Sequence, residues 1–164
     1  MYNFDWTRFT KKIAVMSGLA TMYDAWTKPV EIEKWFLKTA NFYDSNASLI
    51  DKNGSIEKGF TYEWSWHLYD AIERGKIVEV NGTDLIEFTF AGECDVVVKL
   101  AQQGEDVIVE LTQSNIPTDE ASKQNIRLGC ASGWAFYMVN LKSVYEGGLD
   151  LRNKTEGLRG VVNS

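Results

Sequence analysis

Hydrophobic and polar residues alternate one by one along the segment from Phe60 to Leu68. Successive side chains of a β-strand point to opposite faces of its sheet, so this spacing predicts a strand with one aromatic face and one face in water. The residues predicted to share the aromatic face are Phe60, Tyr62, Trp64, Trp66 and Leu68. His67, the single histidine of the chain, falls in the other phase. It is therefore predicted to face solvent rather than to act as an interior base.

Four more strand-like runs follow and are separated by short turns that contain glycine. They cover residues 71–80, 84–91, 94–103 and 105–114. Turns such as Asn81-Gly82 and Gln103-Gly104 are typical of hairpins, so consecutive strands are predicted to be antiparallel. Together with an earlier strand over residues 8–17, the pattern predicts a curved antiparallel sheet of six or seven strands.

Three helices are predicted around this sheet. Ser17 is expected to cap a short helix over residues 18–26, and Pro29 is expected to begin a second one over residues 29–37. Apolar residues recur at helical spacing from Thr118 or Asp119 to about Tyr145, which predicts a long helix that ends before Gly147-Gly148. Its apolar side consists of Ile126, Cys130, Trp134, Tyr137, Met138, Leu141 and Tyr145. The tail, residues 149–164, is predicted to be extended or flexible.

The order of these elements predicts an α+β fold in which the sheet wraps around the long C-terminal helix, with two short helices after the first strand. One helix cannot cover the whole concave face of such a sheet, so a cavity is expected unless large side chains fill it. The residues predicted to face that space are Tyr62, Trp64, Trp66, Phe88, Phe90, Trp134, Tyr137, Met138 and Leu141. Aromatic residues make up 13% of the chain, which suits either a bulky core or a ring-lined pocket.

Composition narrows the range of partners. The net charge is −6 and the longest basic run is the pair Lys11-Lys12, which disfavours nucleic acid and anionic membrane surfaces. No stretch approaches the roughly 18 apolar residues of a membrane span, and the first residues lack the apolar core of a signal peptide. Cys94 and Cys130 are expected to be buried free thiols in a cytoplasmic protein. The sequence contains no metal-ligand spacing, phosphate loop or catalytic motif, so no metal, no cofactor and no catalytic residue is predicted.

Several short patterns, taken in their order, resemble the START-like (SRPBCC, or helix-grip) superfamily. They are Tyr23-Asp24-Ala25-Trp26-Thr27-Lys28-Pro29, Glu33-Lys34-Trp35-Phe36, Gly133-Trp134, Leu141-Lys142 and Gly148-Leu149-Asp150-Leu151. Within the superfamily, the chain is most similar to the branch named for the activator of a heat-shock chaperone's ATPase. The resemblance implies a single START-like domain over residues 1–164 with the helix-grip fold. Lipid carriers, hormone receptors, polyketide cyclases and chaperone cofactors share that fold, so the fold alone does not select a function.

Three functions remain open on the sequence. The first is non-catalytic binding of a small hydrophobic or amphipathic ligand in the cavity between sheet and helix. The second is a protein-interaction role similar to that of the chaperone-ATPase activators, with a chaperone as partner. The third is a cyclase- or hydrolase-like enzyme that uses the same cavity. Tyr2, Phe4 and Trp6 are expected either to seal the edge of the domain or to form a homodimer contact.

Overall fold

The computed structural model describes residues 3–164, and these contain an antiparallel sheet of seven strands. The strands are β1 (Phe9–Met16), β2 (Thr39–Tyr43), β3 (Thr61–Ser65), β4 (Ile72–Val80), β5 (Leu85–Phe90), β6 (Cys94–Gln103) and β7 (Asp106–Ser114). They lie side by side in the order β1-β7-β6-β5-β4-β3-β2. The predicted α+β class and the meander of hairpins from β3 to β7 are confirmed.

The hydrophobic pattern does not predict β2, which forms one edge of the sheet. This strand has five residues, and only Ala40 and Phe42 fall in its buried phase. It is recognised as a strand through its partner, since Phe42 lies opposite Tyr62 of β3. An alternation this short, with only one large apolar residue, does not predict a strand unless the neighbouring strand is known.

β3 ends earlier than the alternation predicts. Its last residue is Ser65, and Leu68 adopts a left-handed backbone conformation with φ +69°, which a regular strand excludes. Trp66 and His67 therefore belong to the connection between β3 and β4. Trp66 still points inward, with its ring 5.6 Å from that of Phe36.

Two short helices, α1 (Leu19–Thr27) and α2 (Pro29–Trp35), follow β1 as predicted. The predicted cap at Ser17 is wrong: Gly18 occupies the N-cap position, and the Ser17 hydroxyl donates instead to the carbonyl oxygen of Gly18. Pro29 stands in the first turn of α2, where its missing N–H costs nothing. The indole of Trp35 ties the two helices together by donating to the carbonyl oxygen of Ala25 at 2.9 Å.

The long C-terminal helix is confirmed, but its geometry is not uniform. It consists of α3 (Glu120–Ser122), a π-helical part (Lys123–Leu128) and α4 (Gly129–Tyr145). Asp119 caps its beginning by accepting a hydrogen bond from the main-chain N–H of Ser122 at 3.0 Å. Gly147, with φ +80°, ends it as predicted.

The concave face of the sheet packs on the apolar side of α4. The ring of Trp134 lies 6.3 Å from that of Phe88 and 5.3 Å from that of Phe90, measured between centroids. Met138 and Leu141, one and two helical turns further along, are buried in the same core. Sheet and helix therefore share one hydrophobic core, as the helix-grip arrangement requires.

The tail, residues 149–164, contains neither helix nor strand, and polar contacts fasten it to the domain. The guanidinium of Arg152 donates to the main-chain oxygens of Glu33, Lys34 and Leu37. Asn140 of α4 accepts from the N–H of Leu151 at 2.7 Å. None of the helices within residues 3–164 combines the length and apolarity that a membrane crossing requires.

The aromatic residues before β1 pack on the π-helical part of the same chain. The rings of Phe4 and Trp6 are 4.6 Å apart, and the Arg127 guanidinium lies 4.4 Å above the ring of Phe4. The Lys123 ammonium lies 5.3 Å from the ring of Trp6. Tyr2, the third residue of this predicted cluster, lies outside the described residues.

Candidate functional site

An open cleft of about 410 Å³ lies between the first half of α4 and the connection from β3 to β4. Six aromatic side chains line it: Phe36, Trp66, Tyr69, Phe90, Trp134 and Tyr137. Its other lining residues are Ala71, Asn125, Gly129, Cys130 and Gly133. A concave, largely apolar space of this size with a few polar groups is typical of small-molecule sites.

The cleft has a buried floor and an exposed rim. Trp134, only 2% exposed, forms the floor, and its ring lies 4.9 Å from that of Phe36. Tyr69 and Asn125 stand exposed at the rim. The polar groups therefore lie near solvent, whereas rings surround the inner part.

Two glycines keep the helix side of the cleft open. Gly129 and Gly133 are one helical turn apart on α4, and both line the cleft. A Cβ atom at Gly133 would meet nothing within 4 Å. Any longer side chain at this position would therefore extend into free space that the glycine leaves unoccupied.

Beyond the floor of the cleft, side chains fill the space between sheet and helix. Trp64 and Phe88 border a void of only about 10 Å³. Tyr62, Met138 and Leu141 are buried in the core. The cavity predicted between sheet and helix is thus filled by side chains over most of its length and open at one end.

A polar side chain lies behind the floor. Gln113 of β7 is fully buried, and its Oε1 accepts a hydrogen bond from the indole N–H of Trp134 at 3.0 Å. Its Nε2 has no hydrogen-bond partner among residues 3–164. This is unusual, because buried polar groups in folded proteins are nearly always paired.

Cys94 is buried, whereas Cys130 is only partly buried, which corrects the prediction that both thiols are buried. Burial raises the pKa of the Cys130 thiol to about 11. Burial also raises the pKa of Cys94. Both are free thiols, and Cys130 lines the cleft, so the cleft presents a protonated sulfhydryl at neutral pH.

The predicted exposure of His67 needs correction. It is partly buried and borders a small void that Trp66, Tyr137 and the tail residues Arg152 and Ser164 also line. Its burial, followed by the nearby positive charge of Arg152, lowers the pKa of its imidazole. The reason for the difference is the early end of β3, which places His67 in a turn under the tail.

A protein-family model described as "Activator of Hsp90 ATPase homolog 1-like protein" matches residues 19–146. The chain belongs to this family. The match spans every element from α1 to α4, and therefore all the residues that line the cleft. No curated protein sequence matches the chain significantly.

Several solved structures of other proteins share the fold of this chain, although their sequence identity to it is low. Protein SSP2350 from Staphylococcus saprophyticus is 22% identical with a TM-score of 0.70, over 88% of this chain and 96% of that chain. The Aha1 dimer from Colwellia psychrerythraea is 17% identical with a TM-score of 0.66, over 86% and 97%. PFC0360w, an HSP90 activator from Plasmodium falciparum, is 15% identical with a TM-score of 0.61, over 84% and 95%. At these identities the likeness shows the fold alone.

The nine residues predicted to face the interior divide into two groups in this family fold. Trp66, Phe90, Trp134 and Tyr137 meet at the cleft. The other five lie in the filled part of the core or at its small void. The sequence reasoning missed Phe36, Tyr69 and Gln113. The sequence does indicate that Gln113 faces inward, because its position continues the alternation of β7 after Val107, Val109 and Leu111.

The cleft is suited to hold a flat apolar molecule rather than to transfer protons. Its described lining contains rings, a thiol, an amide and two phenols, with no carboxylate, imidazole or ammonium group. Burial raises the pKa of Tyr137 to about 12, so this phenol stays neutral and can donate a hydrogen bond. Within residues 3–164, no three His, Cys, Asp or Glu side chains come together as metal ligands would.

Proposed function

We propose that this protein binds a small hydrophobic or amphipathic molecule in the cleft, without covalent chemistry. The observation that carries the proposal is an open space of about 410 Å³ lined by six aromatic side chains. A flat ligand with fused or linked rings fits this lining, because aromatic rings attract each other in offset and edge-to-face geometries. The polar groups at the rim, Tyr69 and Asn125, suit a ligand whose outer end is hydrophilic.

The glycine on the helix side of the cleft permits a sharp test. We expect Gly133→Leu to fill the cleft and to weaken binding of a naphthalene-based probe by at least about tenfold. Leucine favours the helix more than glycine by nearly 1 kcal/mol, so a loss of binding would not stem from a weaker helix. The matched control is Ser132→Leu, at the neighbouring exposed position outside the cleft lining.

Binding is measured by quenching of tryptophan fluorescence and by native mass spectrometry, with a panel of naphthalene derivatives and fatty acids. Loss of the complex in Gly133→Leu and its retention in Ser132→Leu would support the cleft as the binding site. If wild type binds no member of the panel, or if both variants bind as wild type does, the proposal is wrong.

Family membership favours a second candidate, a chaperone-activator-like interaction. Two of the similar structures are an Aha1 dimer and an HSP90 activator, so an Hsp90-type chaperone is the partner to test. The expected result is a rise in the chaperone's ATPase rate on addition of the protein. An unchanged rate at saturating concentration rejects this candidate.

The same comparison motivates a homodimer, because the Colwellia psychrerythraea protein is described as a dimer. Phe4, which is 54% exposed, lies at the edge of the domain and is the residue we propose for the contact. Sedimentation equilibrium of wild type and Phe4→Ser distinguishes a monomer from a homodimer, and Phe4→Ser is expected to shift the equilibrium toward the monomer. A wild-type monomer at all concentrations tested would exclude this dimer.

A further inference from the structure

The small void beside His67 shares a wall with the cleft. It measures about 10 Å³, and three of the rings that line the cleft also line this void: Phe36, Trp66 and Tyr137. The tail supplies another wall of the void, with the side chains of Arg152, Asn153, Asn163 and Ser164. The tail therefore covers part of the same group of rings that borders the cleft.

The tail is attached firmly at its beginning and weakly over the void. Arg152 donates to three main-chain oxygens of the domain. By contrast, a single hydrogen bond joins residues 153–164 to residues 3–148. It runs between the hydroxyl groups of Ser164 and Tyr69, and at 3.4 Å it is long for a bond between two oxygens. Residues 153–164 can therefore move while Arg152 stays in place.

Residues 153–164 hold together as a loop of their own. The main-chain N–H of Asn153 donates to the carbonyl oxygen of Asn163 at 2.7 Å, and the side-chain amide of Asn153 donates to that of Leu158 at 2.6 Å. Leu158, Val161 and Val162 are all exposed. Because the loop buries so few apolar side chains against the domain, its separation uncovers little apolar surface and costs little free energy.

His67 borders the void beneath this loop, and positive charge prevails around it. The charged groups that act on its imidazole are Arg152, Lys154 and Asp150 of the tail and Lys38 between α2 and β2. Asp150, the carboxylate among them, is already bonded to Arg152 and Lys154. Tyr137 faces the same void and stays neutral, since burial raises its pKa to about 12. Burial is the main cause of the lowered pKa of His67, and the three cations add to it.

We propose that residues 153–164 form a pH-sensitive flap, which covers the void while His67 is neutral and separates from it when His67 binds a proton. Separation lets water reach the imidazolium and carries Lys154 away from it, so the open state stabilises the charged form.

The direction of the pH effect follows from this linkage. A histidine whose pKa is lowered in the closed state favours that state above its ordinary pKa of about 6.5, and the preference is lost as the pH falls below this value. At pH 5.5 an uncovered imidazole is protonated about ten to one. The ratio of open to closed flap is therefore expected to rise by up to about tenfold between pH 7.5 and pH 5.5.

The consequence for ligands rests on the proposed function. An open flap uncovers more of the Trp66 and Tyr137 side chains, which the cleft and the void share. A ligand with an extended apolar chain then gains contacts that a short ligand does not reach. We expect mildly acidic pH to favour the longer of two otherwise similar ligands.

Nuclear magnetic resonance observes the imidazole and the flap separately. His67 is the only histidine of the chain, so the ring protons report its titration without overlap. Relaxation dispersion of the Asn163 main-chain amide measures the open fraction of the flap, because the amide leaves the neighbourhood of the rings when the flap opens. This fraction is expected to rise at least about threefold from pH 7.5 to pH 5.5 in wild type. In His67→Gln, which binds no proton in this range, it should stay constant.

Lys154→Met removes the cation that the flap carries. The pKa of His67 is expected to rise and the pH-dependent opening to become smaller, because the closed state no longer places this charge near the imidazole. Lys76→Met, an exposed lysine of β4 outside this group of charges, is the matched control and should change neither quantity. A merely structural role of Lys154 would alter stability without moving the midpoint of the His67 titration.

Two uncharged naphthyl ethers test the consequence for the cleft. 2-Methoxynaphthalene and 2-hexyloxynaphthalene contain no group that titrates between pH 5.5 and pH 7.5, and they differ only in the length of the alkyl chain. We define the chain preference as the ratio of their dissociation constants, measured by quenching of tryptophan fluorescence. The preference for the longer ether is expected to be at least about threefold greater at pH 5.5 than at pH 7.5 in wild type, and equal at both in His67→Gln.

The outcomes separate the flap from the ligand site. An open fraction that stays constant while His67 titrates, or that rises equally in His67→Gln, overturns the flap. If the flap opens with His67 but the chain preference does not change, its effect on the cleft is wrong. Binding of neither ether at either pH counts against the proposed ligand site, and the titration of His67 and Asn163 still decides whether the flap exists.

Discussion

The ring of Tyr62 on β3 lies across Gly75 on β4, directly opposite in the sheet register. A Cβ atom at Gly75 would stand only 2.5 Å from the phenolic oxygen of Tyr62. The hydroxyl reaches over this glycine to donate to the carbonyl oxygen of Thr89 on the next strand. The glycine thus allows an aromatic side chain to lie flat on the sheet and to join three strands.

Gly75→Ala is therefore expected to destabilise the protein by about 1–3 kcal/mol, because the methyl group would force Tyr62 out of its position. The measurement is the free energy of unfolding from urea denaturation. Gly133→Ala, on α4, is the control: it meets no atom within 4 Å and is expected to be neutral or stabilising. Equal stability of Gly75→Ala and wild type would contradict the close contact.

The alternation around Tyr62 shows how far the sequence predicts the fold. Phe42 and Tyr62 lie opposite each other, but only the longer pattern around Tyr62 identifies its strand. The hairpins from β4 to β7 follow from local turn chemistry, so they could be predicted. The opening of the cleft depends on how completely side chains from distant elements fill the core, and no local pattern encodes that volume.

The candidate site illustrates the same limit. Trp134 and Tyr137 are identified as inward-facing by helical periodicity, which is a local property. Phe36 and Tyr69 reach the cleft from a helix end and a connection, where no periodicity applies. Gln113 could have been noticed from its phase in β7, but its unpaired amide becomes visible only once Trp134 is known to use its oxygen.

Arg152 is expected to be the most important residue of the tail. Its side chain is only 6% exposed and also bonds to Asp150 at 2.8 Å, in addition to the three main-chain oxygens near the end of α2. Arg152→Met should lower the free energy of unfolding by at least about 2 kcal/mol, because three main-chain oxygens and the Asp150 carboxylate lose a charged donor. Arg159→Met, an exposed arginine of the same tail, is the control and is expected to cost little.

The carboxyl group of Asp150 is expected to make the attachment of the tail through Arg152 sensitive to acid. Burial alone would raise its pKa, but hydrogen bonds from Arg152, Lys154 and Asn140 outweigh that effect and hold the pKa well below its ordinary value. A carboxylate with a lowered pKa contributes stability above its unfolded pKa of about 4, and this contribution is lost as the pH falls below that value.

The unfolding free energy measured from pH 6 down to pH 2 tests this contribution. Wild type is expected to lose more stability over this range than Asp150→Asn, in which no charge can be lost at that position. In Arg152→Met, the Asp150 carboxyl resonance should titrate at a higher pH than in wild type. Parallel pH profiles of wild type and Asp150→Asn would show that Asp150 is not coupled to folding.

Cys130 offers a chemical probe of the cleft, since burial raises the pKa of its thiol to about 11. The thiolate is the reactive form, so alkylation by iodoacetamide at pH 8 is expected to be at least about tenfold slower than in the urea-unfolded chain. The rate should still rise above pH 9, and folding stability should fall over the same range because the unfolded thiol ionises first.

Labelling is followed by mass spectrometry, with Cys130→Ala as the control that reports the background from Cys94. A bound naphthalene derivative should slow the reaction of Cys130 further, because the ligand would occupy the space through which the reagent approaches. A half-maximal rate near pH 8.5 would mean that Cys130 is exposed to water like an ordinary thiol.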